Sequence, residues 1–416
     1  MHCRCGTDTP PTAAYCNRCG RSLAARDGAR LARDVGVAAG LLAALAVVYL
    51  VDRTAASKPL ESAPASVGQH VEARPLRLAV TPPEYDDMGK LLATLGAGYP
   101  FVETPLETLL EAESLRRYDV VFLTCGGVPP AWLGRRTGDA QRGAVGAYRP
   151  QPRVAMRLQR ALRDYVAGGG TLYVSDWQFQ LLEIAFPEFV DASRRFQGDV
   201  QTVRADVVDP GLARRLGPTI ELRFERPAWF PAAFRDAGVT TYLAGTYRTL
   251  DDRQLRGALL ASFPFENGTV VFTSFHNETQ NSAVETELLR YLVFTAITAR
   301  EDAQVRRTMV RGGFSPAERN LLSASQDAAP LTQEFVCRTR GPLRFVLGFE
   351  PQGARLRLTV VGPDGATREQ SGDTTFAVEI PEAAVGAWRY TVTPEHVPFA
   401  NFPFTLTIGE KDAAGR

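Results

Sequence analysis

Four cysteines open the chain, and their spacing suits metal ligation. Cys3, Cys5, Cys16 and Cys19 lie within the first nineteen residues. In Tyr15-Cys16-Asn17-Arg18-Cys19-Gly20 a Cys-x-x-Cys pair sets two thiolates on one tight turn, and the following glycine permits a left-handed backbone. Gly6 after Cys5 mirrors Gly20 after Cys19. The first half is irregular, with one residue between Cys3 and Cys5 and with His2 three residues before Cys5. Cys5, Cys16 and Cys19 are therefore expected zinc ligands, and the fourth is either Cys3 or His2. A segment of this size has no core of its own, so bound zinc would supply roughly 10–16 kcal/mol of its folding energy. Four ligands close the coordination shell, which makes the expected role structural.

A second group of reactive residues lies in the middle of the chain. Cys125 follows an apolar run, Ser175-Asp176 ends another, and His276-Asn277-Glu278 ends a third. A cysteine nucleophile needs a base that a carboxylate orients, so Cys125 with His276 and Glu278 is a candidate hydrolytic set, and Ser175 with His276 is another. Asp86, Asp87, Asp176, His276 and Glu278 form an alternative set that would bind a divalent metal or a polar ligand. The competing bland readings are an inert buried thiol at Cys125, a helix cap at Ser175-Asp176, and a hydrogen-bonded structural cluster around His276.

Composition sets the outer limits. The 416 residues have room for two or three domains. A net charge of +1 gives no global signal for nucleic acid. On the cysteine segment Arg4, Arg18 and Arg21 are accompanied by Tyr15 alone among aromatics, so no nucleic-acid partner is expected. The isolated Cys125 and Cys337 exclude a disulfide framework.

The cysteine segment, residues 1–24, resembles the short zinc ribbon at the N-terminus of many bacterial membrane proteins. An uncharged run, Val35 to Val51, follows it. At seventeen residues it lies at the short end of the ~17–25 that cross a bilayer core, so 34–52 is read as one transmembrane helix. Arg4, Arg18, Arg21, Arg26, Arg30 and Arg33 precede it, whereas Arg53, Lys58 and Arg74 follow it. This bias predicts a cytoplasmic N-terminus, a plasma-membrane anchor, and all later domains outside the cytoplasm. Residues 53–75 are an Ala/Ser/Pro-rich tether.

Residues 76–300 must position the second reactive group. Leu76 to Thr81, Phe101-Val102, Asp119 to Thr124, Thr171 to Ser175 and Thr269 to Phe275 read as short buried strands. Between them, helices are expected near Met88–Leu95, over Leu106–Leu115, along Leu158–Val166 (stopped by Gly168-Gly169-Gly170) and over Glu285–Thr298. The alternation predicts a doubly wound parallel α/β sheet, flavodoxin-like in class, with the strand- and proline-rich 187–265 elaborating it. The order of parts resembles the class I glutamine amidotransferase-like fold, with Cys125-Gly126-Gly127 matching its Gly-Gly turn and His276-x-Glu278 its His-x-Glu. The resemblance places the nucleophile elbow at Ser175-Asp176-Trp177, where the family's cysteine is absent. It implies a degenerate, non-catalytic member.

From about residue 330 the period changes to two. Leu356, Leu358 and Val360 alternate, as do Phe376, Val378 and Ile380, then Trp388, Tyr390 and Val392, then Phe404, Leu406 and Ile408. Gly362-Pro363-Asp364-Gly365 is a turn. Residues 330–411 are thus an antiparallel β-sandwich, with Cys337 opening its first strand, Trp388 in its core, and 301–329 a polar, partly helical connector. Gly386-Ala387-Trp388 resembles the bacterial pre-peptidase C-terminal sandwich. The chain as a whole reads as an envelope protein that binds a protein partner or a wall component, with an extracytoplasmic hydrolase or amidase as the alternative.

Overall fold

The computed structural model describes residues 76–133, 150–278, 280, 282–350 and 353–411. The expected zinc ribbon, membrane helix and tether lie outside the described residues. No helix among the described residues is long and apolar enough to cross a membrane.

Nine strands form one sheet. They are β1 (Leu78–Val80), β2 (Phe101–Glu103), β3 (Val120–Leu123), β4 (Thr171–Ser175), β5 (Gln201–Val207), β6 (Thr219–Phe224), β7 (Thr240–Arg248), β8 (Gln254–Phe265) and β9 (Gly268–Thr273). Their spatial order is β2-β1-β3-β4-β9-β8-β7-β5-β6. The five strands from β2 to β9 run parallel, and β8, β7, β5 and β6 add antiparallel neighbours. The doubly wound expectation holds for the first half, and 187–265 is the antiparallel elaboration. Strands β3, β4 and β9 are buried along their whole length, as uninterrupted apolar runs in a sheet covered on both faces must be.

Local chemistry sets the helices. Helix α1 (Met88–Thr94) is capped by the Asp87 side chain, which accepts the Lys90 N–H at 2.8 Å. The helix expected over Leu106–Leu115 is instead a 3₁₀ turn (Leu106–Leu110) followed by the single-turn α2 (Ala112–Leu115). Helix α3 (Pro152–Ala167) begins on a proline and stops at Gly168. Helices α4 (Phe179–Ala185) and α5 (Pro210–Leu216) are short.

Helix α6 begins with a capping box between Ser282 and Glu285 and runs from Ala283 to Arg311. It passes well beyond Thr298 because its second half has its own apolar partners, Val305 and Met309 packing with Phe314 and Val346. Asp302 is buried there and pairs with Arg306 and Arg319.

The C-terminal sandwich pairs two antiparallel sheets. One contains β10 (Ser315–Ala324), β17 (Phe402–Glu410), β12 (Gly341–Gly348) and β15 (Phe376–Ala383), in that order; the other contains β11 (Leu331–Cys337), β16 (Gly386–His396), β13 (Arg355–Val361) and β14 (Thr367–Gly372). The connector expected over 301–329 is thus the end of α6 together with β10. Cys337 closes β11 rather than opening the first strand. Trp388, Phe345, Leu358 and Phe404 share the core, and the Gly362 carbonyl accepts the Gly365 N–H across the expected turn at 3.0 Å.

Candidate functional site

Parallel strands deliver their carboxyl ends to one edge, so the residues after β1, β3, β4 and β9 meet there. Asp86, Cys125, Asp176 and His276 are all brought to this edge, and each is buried.

Asp176 occupies the turn between β4 and the helical segment that leads to α4, with φ of +40°. A non-glycine residue in that region is strained, and such strain persists only where surrounding contacts fix it. Here the contacts are explicit. Asp176 Oδ1 accepts the Phe230 N–H at 2.7 Å, and Oδ2 lies 3.2 Å from His276 Nε2. Cys125 Sγ donates to that same Oδ2 at 3.7 Å. On its other side, His276 Nδ1 lies 2.7 Å from Glu225 Oε1. Both ring nitrogens of His276 therefore face carboxylates, an arrangement that suits an imidazolium.

Burial acts on His276, Asp176 and Cys125 alike. It would lower the His276 pKa, but the hydrogen bonds with Asp176, Cys125 and Glu225 outweigh it and hold the imidazole well above its usual range. Burial raises the Asp176 carboxyl, with His276 opposing. The Cys125 thiol is pushed up to about 12, first by burial and then by the Asp176 charge.

Ser175 is turned elsewhere. Its hydroxyl donates to Asp86 Oδ2 at 3.2 Å, while Asp86 Oδ1 accepts the N–H groups of Asp87 and Asn277, each at 3.0 Å. Burial raises the Asp86 carboxyl to about 6, against the His276 charge and these donors. Asp87 serves as the α1 cap. Glu278 lies at the surface, 2.9 Å from Lys90 Nζ, so the expected His276–Glu278 pairing does not form. Glu225 takes that place. It follows β6, at the far edge of the sheet, and no spacing rule ties it to His276.

Beside this group lies a cleft of about 520 Å³. Its walls come from the segments after β1 and β3, including Pro83, Glu84, Gly126, Gly127 and Val128, with Gln178 also lining it. Strand order reverses at β1, so the cleft stands at the topological switch point where open α/β sheets bind ligands. Glu84 Oε2 accepts the Gly127 N–H at 2.5 Å. A Cβ on Gly126 would come within 2.7 Å of that oxygen, so a larger residue there would displace the exposed Glu84 side chain from its bond to Gly127. Gln178 donates to the Gly126 carbonyl at 2.9 Å, whereas its buried Oε1 has no partner among the described residues. A second cavity, of about 440 Å³, lies against the antiparallel half. Its Arg194 and Arg256 are already paired with Asp236 and Asp206.

No protein-family model and no curated protein matches the chain. Solved structures do resemble it. A putative ThuA-like protein from Bacteroides uniformis is 11% identical over 56% of this chain and 95% of its own, with a TM-score of 0.36. A putative GMP synthase component from Thermoplasma acidophilum is 11% identical over 56% of this chain and 98% of its own, with a TM-score of 0.35. A glutamine amidotransferase from Thermotoga maritima is 10% identical over 57% of this chain and 98% of its own, with a TM-score of 0.29. All three TM-scores lie under 0.5.

Proposed function

We propose that the chain is a membrane-anchored envelope protein that acts by binding, with a ligand cleft at the β1/β3 edge of its α/β domain. One observation supports this above the others: the turn where a nucleophile would stand carries Asp176, locked 3.2 Å from His276, whose other ring nitrogen faces Glu225. An imidazole protonated on both nitrogens has no lone pair with which to take a proton from a nucleophile. Ser175 is bound to Asp86, and the Cys125 thiol is raised where cysteine catalysis needs it lowered.

The cleft favours a ligand that donates hydrogen bonds. Glu84 and Glu107 supply negative charge along its walls. A small ligand or peptide bearing an amine answers that charge. In this reading the N-terminal zinc ribbon lies in the cytoplasm and contacts a protein partner there. The pre-peptidase-like sandwich positions the α/β domain outside the plasma membrane, and nucleic acid is not a partner.

Thermal unfolding of the full chain with primary amines and lysine-containing tripeptides as probes tests the reading. A rise in Tm that is lost in Glu84→Gln supports it. Absence of any rise, or turnover of amide or ester probes that disappears in His276→Gln, contradicts it.

A further inference from the structure

Cys125, Asp176 and His276 arrive from the ends of three different parallel strands and are buried together, their sulfur, oxygen and nitrogen atoms all within 4.8 Å of one another. The separations are those of ligands around one ion. His276 Nε2 stands 3.2 Å from Asp176 Oδ2, and Cys125 Sγ stands 3.7 Å from the same oxygen. Ordinary zinc bond lengths at a tetrahedral angle place a nitrogen and an oxygen about 3.3 Å apart, and a sulfur and an oxygen about 3.5 Å apart. We propose that Cys125, Asp176 and His276 bind one divalent transition-metal ion, zinc by preference, and that Glu225 orients the His276 ring for it. The ion takes the place of the protons on Nε2 and on the thiol, which pass to solvent.

Three features support the site. Glu225 lies 2.7 Å from Nδ1, which fixes the proton on that nitrogen and turns Nε2 towards Cys125 and Asp176. A carboxylate behind a histidine ligand is the recurrent outer shell of zinc sites. The Phe230 N–H holds Asp176 Oδ1 at 2.7 Å, and the strained φ of +40° aims Oδ2 at the point all three side chains share. Finally, a donor set of one thiolate, one imidazole and one carboxylate matches zinc better than magnesium or calcium, which take oxygen. Three protein ligands leave a fourth position for water or for an oxygen of a bound ligand. This site goes beyond the binding role proposed above and shares no residue with the N-terminal cysteine segment.

The test uses the full chain carrying Cys3→Ser, Cys5→Ser, Cys16→Ser and Cys19→Ser, so that the N-terminal thiols contribute nothing. The protein is equilibrated with cobalt(II), and the bound metal and the thiolate-to-cobalt absorption band are measured. One equivalent with a charge-transfer band is expected. Cys125→Ser should abolish the band while circular dichroism reports an intact fold, and His276→Gln should lose the equivalent. Glu225→Gln should retain the band with an affinity about 10–100-fold lower. If the parent chain retains neither cobalt nor zinc, or Cys125→Ser leaves the band unchanged, the cluster is a hydrogen-bonded ion pair only and the proposal falls.

Discussion

Asp176 Oδ2 lies 3.2 Å from His276 Nε2, although the two residues are 100 positions apart in sequence. Adjacent parallel strands create the approach, since Ser175 in β4 is paired with Thr273 in β9. The pair is buried, so each partner depends on the other for the solvation it has lost. Asp176→Asn should therefore cost about 3–5 kcal/mol in urea unfolding, the range for breaking a buried ion pair. Glu225 is 36% exposed, and Glu225→Gln should cost only about 1 kcal/mol. Equal costs would mean that the buried pair is not what holds His276.

Asp86 should leave a mark on the pH dependence of stability. Burial raises its carboxyl from 3.8 to about 6, against the opposing His276 charge and the Asp87, Asn277 and Ser175 donors. Between those values the folded chain keeps a proton that the unfolded chain has released. Stability must then fall as pH rises through that window, by about 3 kcal/mol in all. Asp86→Asn should remove this fall, leaving the variant more stable than the parent chain above about pH 6. Identical stability profiles from about pH 4 to 7 in the two proteins would contradict the assignment.

The joint between α6 and the sandwich has an electrostatic centre. Asp302 is buried and meets Arg319 Nε at 2.6 Å and an Arg306 guanidinium nitrogen at 3.1 Å. Asp302→Ala would leave Arg319 with Tyr291 and Tyr242 beside it but without its carboxylate. Arg319 keeps some contact with water, so the expected loss is about 3 kcal/mol, at the low end for a broken buried pair. Thermal unfolding followed by tryptophan fluorescence would measure it, and a loss below about 1 kcal/mol would show that apolar packing alone makes the joint.

The arginine bias around the apolar run predicts a cytoplasmic N-terminus and an exported C-terminus. An alkaline-phosphatase reporter fused after Arg416 should be active, because it would be exported, and a cytosol-dependent reporter at the same point should be silent. The reverse pattern would overturn the envelope placement.

Much of the α/β domain was legible because its central strands are uninterrupted apolar runs. Val120–Leu123, Thr171–Ser175 and Gly268–Thr273 stand within one or two residues of their expected bounds. Parallel pairing then brings Cys125, Asp176 and His276 together without any further signal. Glu278 was misleading because the chain leaves β9 at Thr273, so strand alternation no longer governs where its side chain goes. Glu225 was invisible because its contact with His276 depends on how the antiparallel half folds back, which no local pattern encodes. The stretch after Thr298, expected to be a polar and partly helical connector, continues the helix to Arg311, with Asp302 paired to Arg306 and Arg319. Polarity there reports a satisfied joint.

Alkylation of Cys125 tests most directly whether the α/β domain binds rather than catalyses through a thiol. The folded full chain is exposed to iodoacetamide at neutral pH, and modification is located by mass spectrometry. A thiol 1% exposed, with its pKa raised to about 12, should stay unmodified until the chain is unfolded. Rapid, stoichiometric modification of Cys125 in the folded chain, abolished by His276→Gln, would reveal an activated cysteine and contradict the binding account.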